Sequence, residues 1–171
     1  AQGLREAEFL HGWFLLGDED LRGTDWIRRS AEQGYAPAAA QLGTLHLAGH
    51  ELDHDDHLAA EWIRRAADQG FAPAQYDLGL MYLKGLGVDH DEREAALWMR
   101  RAADQAFAAA EFKLGTMLEH GRGVERDRVS AYRRYDSASA HGCVAAAGDR
   151  DRLVLDLEPG ERLELDRATA R

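Results

Sequence analysis

Apolar residues in this chain recur at helical spacing in short runs separated by polar breaks. Ala74, Leu78, Met81 and Tyr82 fall at steps of three and four, the spacing of one buried helical stripe. Ala59, Trp62, Ile63, Ala66 and Ala67 form a second stripe of the same kind. The pattern therefore predicts helices in pairs. Asp55, Asp91 and Asp127 stand just before the second helix of successive pairs, where a short carboxylate caps free amides and favours the positive end of the helix dipole. Asp91 is followed three residues later by Glu94, as in a capping box. Gly34, Gly70 and Gly142 stand where those helices end, the residue type suited to a left-handed C-terminal turn; Ala106 holds the fourth such place.

The stripes repeat. Trp26 opens WIRRSAEQGYAPAAAQLGTLHLAG, Trp62 opens WIRRAADQGFAPAQYDLGLMYLKG and Trp98 opens WMRRAADQAFAAAEFKLGTMLEHG, a period of 36 residues. Leu42-Gly43, Leu78-Gly79 and Leu114-Gly115 recur on it, each glycine leaving room for a neighbouring helix. This pattern resembles the Sel1-like repeat family, relatives of the tetratricopeptide repeats. The unit from Ala72 to Phe107 carries the motif residues Ala74, Leu78, Gly79, Tyr82, Gly85, Gly87, Val88, Asp91, Ala95, Trp98, Ala102 and Ala103. The likeness covers about residues 7 to 143, although the first unit has a loop about five residues shorter and the fourth has Arg134 in place of tryptophan.

The resemblance implies an all-α fold, a right-handed α-solenoid of antiparallel helix pairs forming one domain over residues 1–171. Its parts are a shortened first repeat (1–35), repeats 36–71 and 72–107, a degenerate fourth repeat (108–143) and a C-terminal capping extension (144–171). In that extension Leu153, Leu155 and Leu157 alternate with other residues, as do Leu163 and Leu165, around Pro159-Gly160. The alternation favours a short β-hairpin over a broken helix, either of which would cover the last helix pair.

Composition narrows the function. The 171 residues are 45% hydrophobic and 30% charged, and no apolar run approaches the roughly 18 residues of a membrane span, which argues against membrane insertion. A formal net charge of −10 repels phosphate backbones and argues against nucleic acid. The paired arginines Arg28-Arg29, Arg64-Arg65 and Arg100-Arg101 do not reverse that, because Glu32, Asp68 and Asp104 stand four residues after the first of each pair. One cysteine excludes an internal disulfide, and Cys143 takes the place of Tyr35, Phe71 and Phe107, which reads as a small buried hydrophobe. The N-terminus carries no basic-then-apolar leader, which favours the cytoplasm, with the periplasm after signal-peptide removal as the alternative.

One stretch points to chemistry. HELDHDDH, residues 50–57, contains the letters H-E-x-x-H at His50, Glu51 and His54, which on a helix would place two zinc ligands and a general base on one face. The register puts it in a loop between Gly49 and the cap Asp55, where that spacing guarantees no shared face. Leu52, His54 and Asp55 match Val88, His90 and Asp91 of the next unit, so most of the stretch is repeat pattern. With no phosphate-binding loop or nucleophile elbow either, the expectation is no catalytic residue, metal or cofactor.

The function implied by the resemblance is a non-enzymatic bacterial interaction module, an adaptor or regulator binding a partner protein or peptide in its concave groove. A metal-dependent hydrolase built on residues 50–57 and a periplasmic scaffold are the rivals. In tetratricopeptide-like units the groove is lined by the exposed face of each first helix. By position this is Gln41, Thr44 and Ala48, then Asp77, Leu80 and Lys84, then Lys113, Thr116 and His120.

Overall fold

The computed structural model describes residues 2–17, 22–49 and 52–169. Ten α-helices and no strands occur among them. They fall into two compact units, Ala1–His90 and Asp91–Arg171. In the first, α1 (Gln2–Gly17), α2 (Arg22–Glu32), α3 (Ala36–Ala48), α4 (Asp56–Asp68) and α5 (Ala72–Lys84) pack each on the next. In the second, α6 (Glu92–Ala103), α7 (Ala108–His120), α8 (Arg128–Ala140) and α9 (Val144–Asp156) do the same, and α10 (Pro159–Thr169) returns onto α8. None of the described helices is long and apolar enough to cross a membrane.

Small residues let the helices approach closely. A Cβ added to Gly43 of α3 would lie 2.6 Å from the Ile63 side chain and 2.9 Å from the Ala59 carbonyl oxygen of α4. At Gly115, the equivalent place in α7, it would lie 2.8 Å from the Tyr135 ring of α8. The buried alanines Ala38, Ala59, Ala66, Ala74, Ala102, Ala110 and Ala138 supply the rest of these tight seams around Leu42, Ile63 and Leu78 in one unit and Met99, Leu114 and Met117 in the other.

The expected caps form. Asp55 accepts from the Leu58 amide, Asp91 from the Arg93 and Glu94 amides, and Asp127 from the Ser130 amide. At the far end of each second helix an amide bonds the carbonyl five residues back: Tyr35 to Ser30, Phe71 to Ala66, Phe107 to Ala102 and Cys143 to Ala138. This turn needs a left-handed residue, supplied by Gly34, Gly70 and Gly142 (φ 82°, 88° and 95°) and, against its Cβ, by Ala106 (φ 60°). Ala106→Gly should therefore stabilise the chain by about 1 kcal/mol, left-handed strain of ~1–2 kcal/mol less the greater unfolded freedom of glycine. A thermal melt should show a midpoint about 3 °C higher, and a lower one would contradict the strain.

The expected β-hairpin at 144–171 is not formed; the segment is the helix pair α9 and α10. An alternating strand would have buried Leu153, Leu155 and Leu157 together. Instead Leu153 and Leu157, four apart, are 0% and 6% exposed, while Leu155 is 77% exposed. The 36-residue period in fact runs on: Ala146 follows Ala110 and Leu153 follows Met117 at that spacing, so α9 packs on α8 as another first helix. Pro159-Gly160 is the first turn of α10 rather than a hairpin turn. Pro159 takes N1, where no amide is needed, and Glu161 reaches back to accept from the Glu158 amide at 2.8 Å.

Candidate functional site

On α3 and α5 the positions expected to line a groove come together only in part. Thr44, Asp77, Leu80 and Lys84 line a pocket of about 180 Å³, which Leu47, Met81 and Leu86 complete with apolar surface. Gln41 and Ala48 are not part of its lining. The helix period explains the grouping: Asp77, Leu80, Met81 and Lys84 recur at i, i+3, i+4 and i+7 on one side of α5. Thr44 turns its hydroxyl inward, donating to the Ala40 carbonyl at 3.0 Å. Asp77 is half-buried, and burial pushes its carboxyl above the usual aspartate range.

On α7 the three expected positions are less available. Thr116 donates to the Phe112 carbonyl at 3.1 Å, and His120 Nδ1 lies 2.9 Å from the Thr116 carbonyl, so both satisfy their own helix. Lys113 is half-buried and His120 exposed.

Two residues that the repeat reading passed over belong to the same column. Aligning Gly12 with Gly43, 31 residues on because of the short first loop, places Leu10 at the Gln41 position and Trp13 at the Thr44 position. They are 58% and 53% exposed, with Phe14 beside them at 68%. The signal was the A-x-x-x-x-G spacing at Ala7 and Gly12, at the start of the likeness that runs from about residue 7.

Of the H-E-x-x-H letters, His50 and Glu51 lie outside the described residues. His54 is exposed, its Nδ1 3.0 Å from the Leu47 carbonyl and its Nε2 3.4 Å from Asp56. His57 Nδ1 lies 3.0 Å from the Gly87 carbonyl. Asp55 is held below the usual aspartate range by the Leu58 amide it caps. Among the described residues no cluster of three or more histidines, cysteines or carboxylates is arranged to hold a metal ion.

The arginine pairs find partners other than those expected. Arg64 donates to the Tyr82 hydroxyl at 2.7 Å, and Asp104 pairs with Arg134 at 3.0 Å. The second arginine of each pair lies over the tryptophan three residues earlier, Arg65 over Trp62 and Arg101 over Trp98 at 4.3 Å and Arg29 over Trp26 at 5.3 Å. Trp62 is half-buried rather than core, whereas Trp98 under the same contact is buried, and Cys143 is half-buried at the N-cap of α9.

The second unit also buries two carboxylates at positions where sister repeats are uncharged. Glu111 takes the Ser137 hydroxyl at 2.6 Å and His141 Nδ1 at 2.7 Å. Glu119, in the place of Leu83, takes Arg152 on both oxygens (2.9 and 3.0 Å) and the Tyr135 hydroxyl at 2.8 Å. In the Glu111 cluster serine and histidine both bond the acid, so no histidine stands ready to activate the hydroxyl as a hydrolytic triad requires.

The Sel1 repeat family model matches residues 36–71, 72–107 and 108–143. Among solved structures the chain is similar to a Sel1 repeat protein from Oxalobacter formigenes, with TM-score 0.81 and 31% identity over 86% of this chain and 59% of that one. It is also similar to c5321, a protective antigen of uropathogenic Escherichia coli displaying an SLR fold, with TM-score 0.62 and 29% identity over 96% of this chain and 44% of that one. The chain thus spans roughly half the length of these two proteins. Cysteine rich protein B of Helicobacter pylori, 21% identical with TM-score 0.59 over 73% of this chain and 95% of that one, shares the fold. No curated protein matches the sequence.

Proposed function

The chain belongs to the Sel1 repeat family, and from that premise we propose that it is a non-enzymatic adaptor or regulator holding a partner protein or peptide against the exposed face of its first helices. Sel1 repeat proteins are in general protein–protein interaction modules. The observation that carries the reading here is the pocket between α3 and α5, where Leu47, Leu80 and Leu86 present apolar surface beside the polar groups of Asp77 and Lys84. A small apolar seat with a few placed polar groups suits a side chain of a partner more than a whole substrate. The proposed contact residues are Gln41, Thr44, Asp77, Leu80 and Lys84 in the first unit and Lys113, Thr116 and His120 in the second. The arginine face supports the choice by contrast, since the guanidiniums of Arg29, Arg64, Arg65 and Arg101 lie over rings of the same chain.

Leu80→Glu combined with Lys84→Glu should weaken partner binding more than tenfold, about 1.4 kcal/mol or above, with helicity unchanged. The control is Arg64→Glu with Arg65→Glu. Partner capture from lysate followed by titration of the purified pair checks it. Loss of binding in the control, with the pocket variant still competent, would move the binding face to the second helices.

A further inference from the structure

Resting on that reading, we propose that the face of α1, α3 and α5 takes a peptide segment bearing one basic and one bulky apolar side chain, the base directed to Asp77 and the apolar group to Leu10 and Trp13.

The base follows from Asp77. Among the described residues no hydrogen bond or ion pair reaches its half-buried carboxylate, and Lys84, which shares the pocket lining, is exposed. Burial raises its pKa with no cation drawing it back. An incoming ammonium or guanidinium would supply the missing charge where the dielectric is lowered, and an acidic or neutral side chain would leave the carboxylate buried and unpaired. The aliphatic stem of lysine or arginine also matches the apolar wall of Leu47, Leu80 and Leu86.

The apolar group follows from α1. Leu10 and Trp13 stand at i and i+3, each more than half exposed, and by register they hold the positions of Gln41 and Thr44, the column to which Asp77 and Leu80 belong. A half-exposed tryptophan is the residue type that dominates interface energetics. The net charge of −10 favours a basic occupant and disfavours a second copy of this equally acidic chain.

A phage-displayed random peptide library panned on the full chain tests this. Selected peptides should share a lysine or arginine together with an aromatic or large aliphatic residue. In fluorescence-polarisation titrations Asp77→Asn should weaken such a peptide more than tenfold and Leu10→Ser with Trp13→Ser more than fivefold, while Asp68→Asn, at an exposed carboxylate of α4 away from the groove, should change it less than twofold. Replacing the peptide's base with glutamate should abolish binding to the unaltered chain, a result that does not depend on any variant folding. Enrichment of acidic peptides, no enrichment, or indifference to Asp77→Asn would overturn the inference. If peptides are weakened by Leu47→Ser with Leu80→Ser, which remove the apolar wall of the pocket without adding charge, but not by Asp77→Asn, the partner chemistry is wrong and the groove stands. If they respond only to Arg64→Glu with Arg65→Glu, the groove itself is wrong.

Discussion

Gly87→Ala should lower stability by about 3 kcal/mol or more, while Gly70→Ala, also at a left-handed residue, should cost only about 1 kcal/mol. Both glycines have positive φ, 65° and 88°, so both replacements pay for a Cβ in the left-handed region. At Gly70 the added Cβ meets nothing within 4 Å. At Gly87 it would fall inside the van der Waals surface of the Asp56 carbonyl and the His57 amide, the first turn of α4. Those atoms are backbone and cannot swing aside, so the loop after α5 must lift and break its contact between the Gly87 carbonyl and His57. Gly123 repeats the arrangement against Glu92 and Arg93 in the second unit, where Arg122 also bonds Glu92 at 2.9 and 2.6 Å. Denaturant titrations of the two alanine variants decide the matter. Equal losses would mean that the loop does not dock on α4 in solution.

Glu119→Gln should cost about 2 kcal/mol at neutral pH. The carboxylate is 8% exposed and accepts from both Arg152 nitrogens and from the buried Tyr135 hydroxyl. An amide keeps the shape but turns a donor toward one of those donors. The share due to Arg152 is the smaller, since its side chain is 48% exposed and regains water when released. Burial alone would raise the Glu119 carboxyl, but the Arg152 and Tyr135 hydrogen bonds outweigh it and hold the group below the usual glutamate range. A folded pKa below the unfolded one gives stability that is present above the unfolded value and lost as pH falls through the folded value. The gap between native chain and variant should therefore be full at neutral pH and close on acidification below the ordinary glutamate range. Melts across that range would show it, and a gap independent of pH would mean that the carboxylate charge contributes nothing.

Much of the repeat was legible because its determinants are local. A cap acts through an amide three residues away, as Asp55 does on Leu58, and a left-handed turn binds a carbonyl five residues back, as Phe107 does at Ala106. The sequence pattern therefore found these places, including the one alanine in a glycine's position. The C-terminal segment misled for a related reason. A short alternation of leucines fits a strand, and its cue to a helix was the faint continuation of the period through Ala146 and Leu153. Leu10 and Trp13 were passed over because the groove was read only from the units on the 36-residue period, although the likeness, with its shorter first loop, begins at about residue 7.

The candidate site was legible only as a list of positions. That Thr44, Asp77, Leu80 and Lys84 share a pocket while Gln41 and Ala48 stand outside it depends on how α3 lies against its neighbours. The same holds for Arg64, which the i, i+4 rule pairs with Asp68 but which the packing of α5 on α4 sends to Tyr82.

By itself, then, the sequence determined the period, the helix pairs, their caps and their turns, since each rests on residues within a few positions of one another and on backbone stereochemistry that any chain obeys. The tertiary structure alone decided which partner a long side chain takes, as Arg152 takes Glu119 from 33 residues away, and which exposed positions enclose a pocket. Those outcomes depend on distances between helices. Such distances are set by the sum of many side-chain contacts across each seam, and no single stretch of sequence carries that sum.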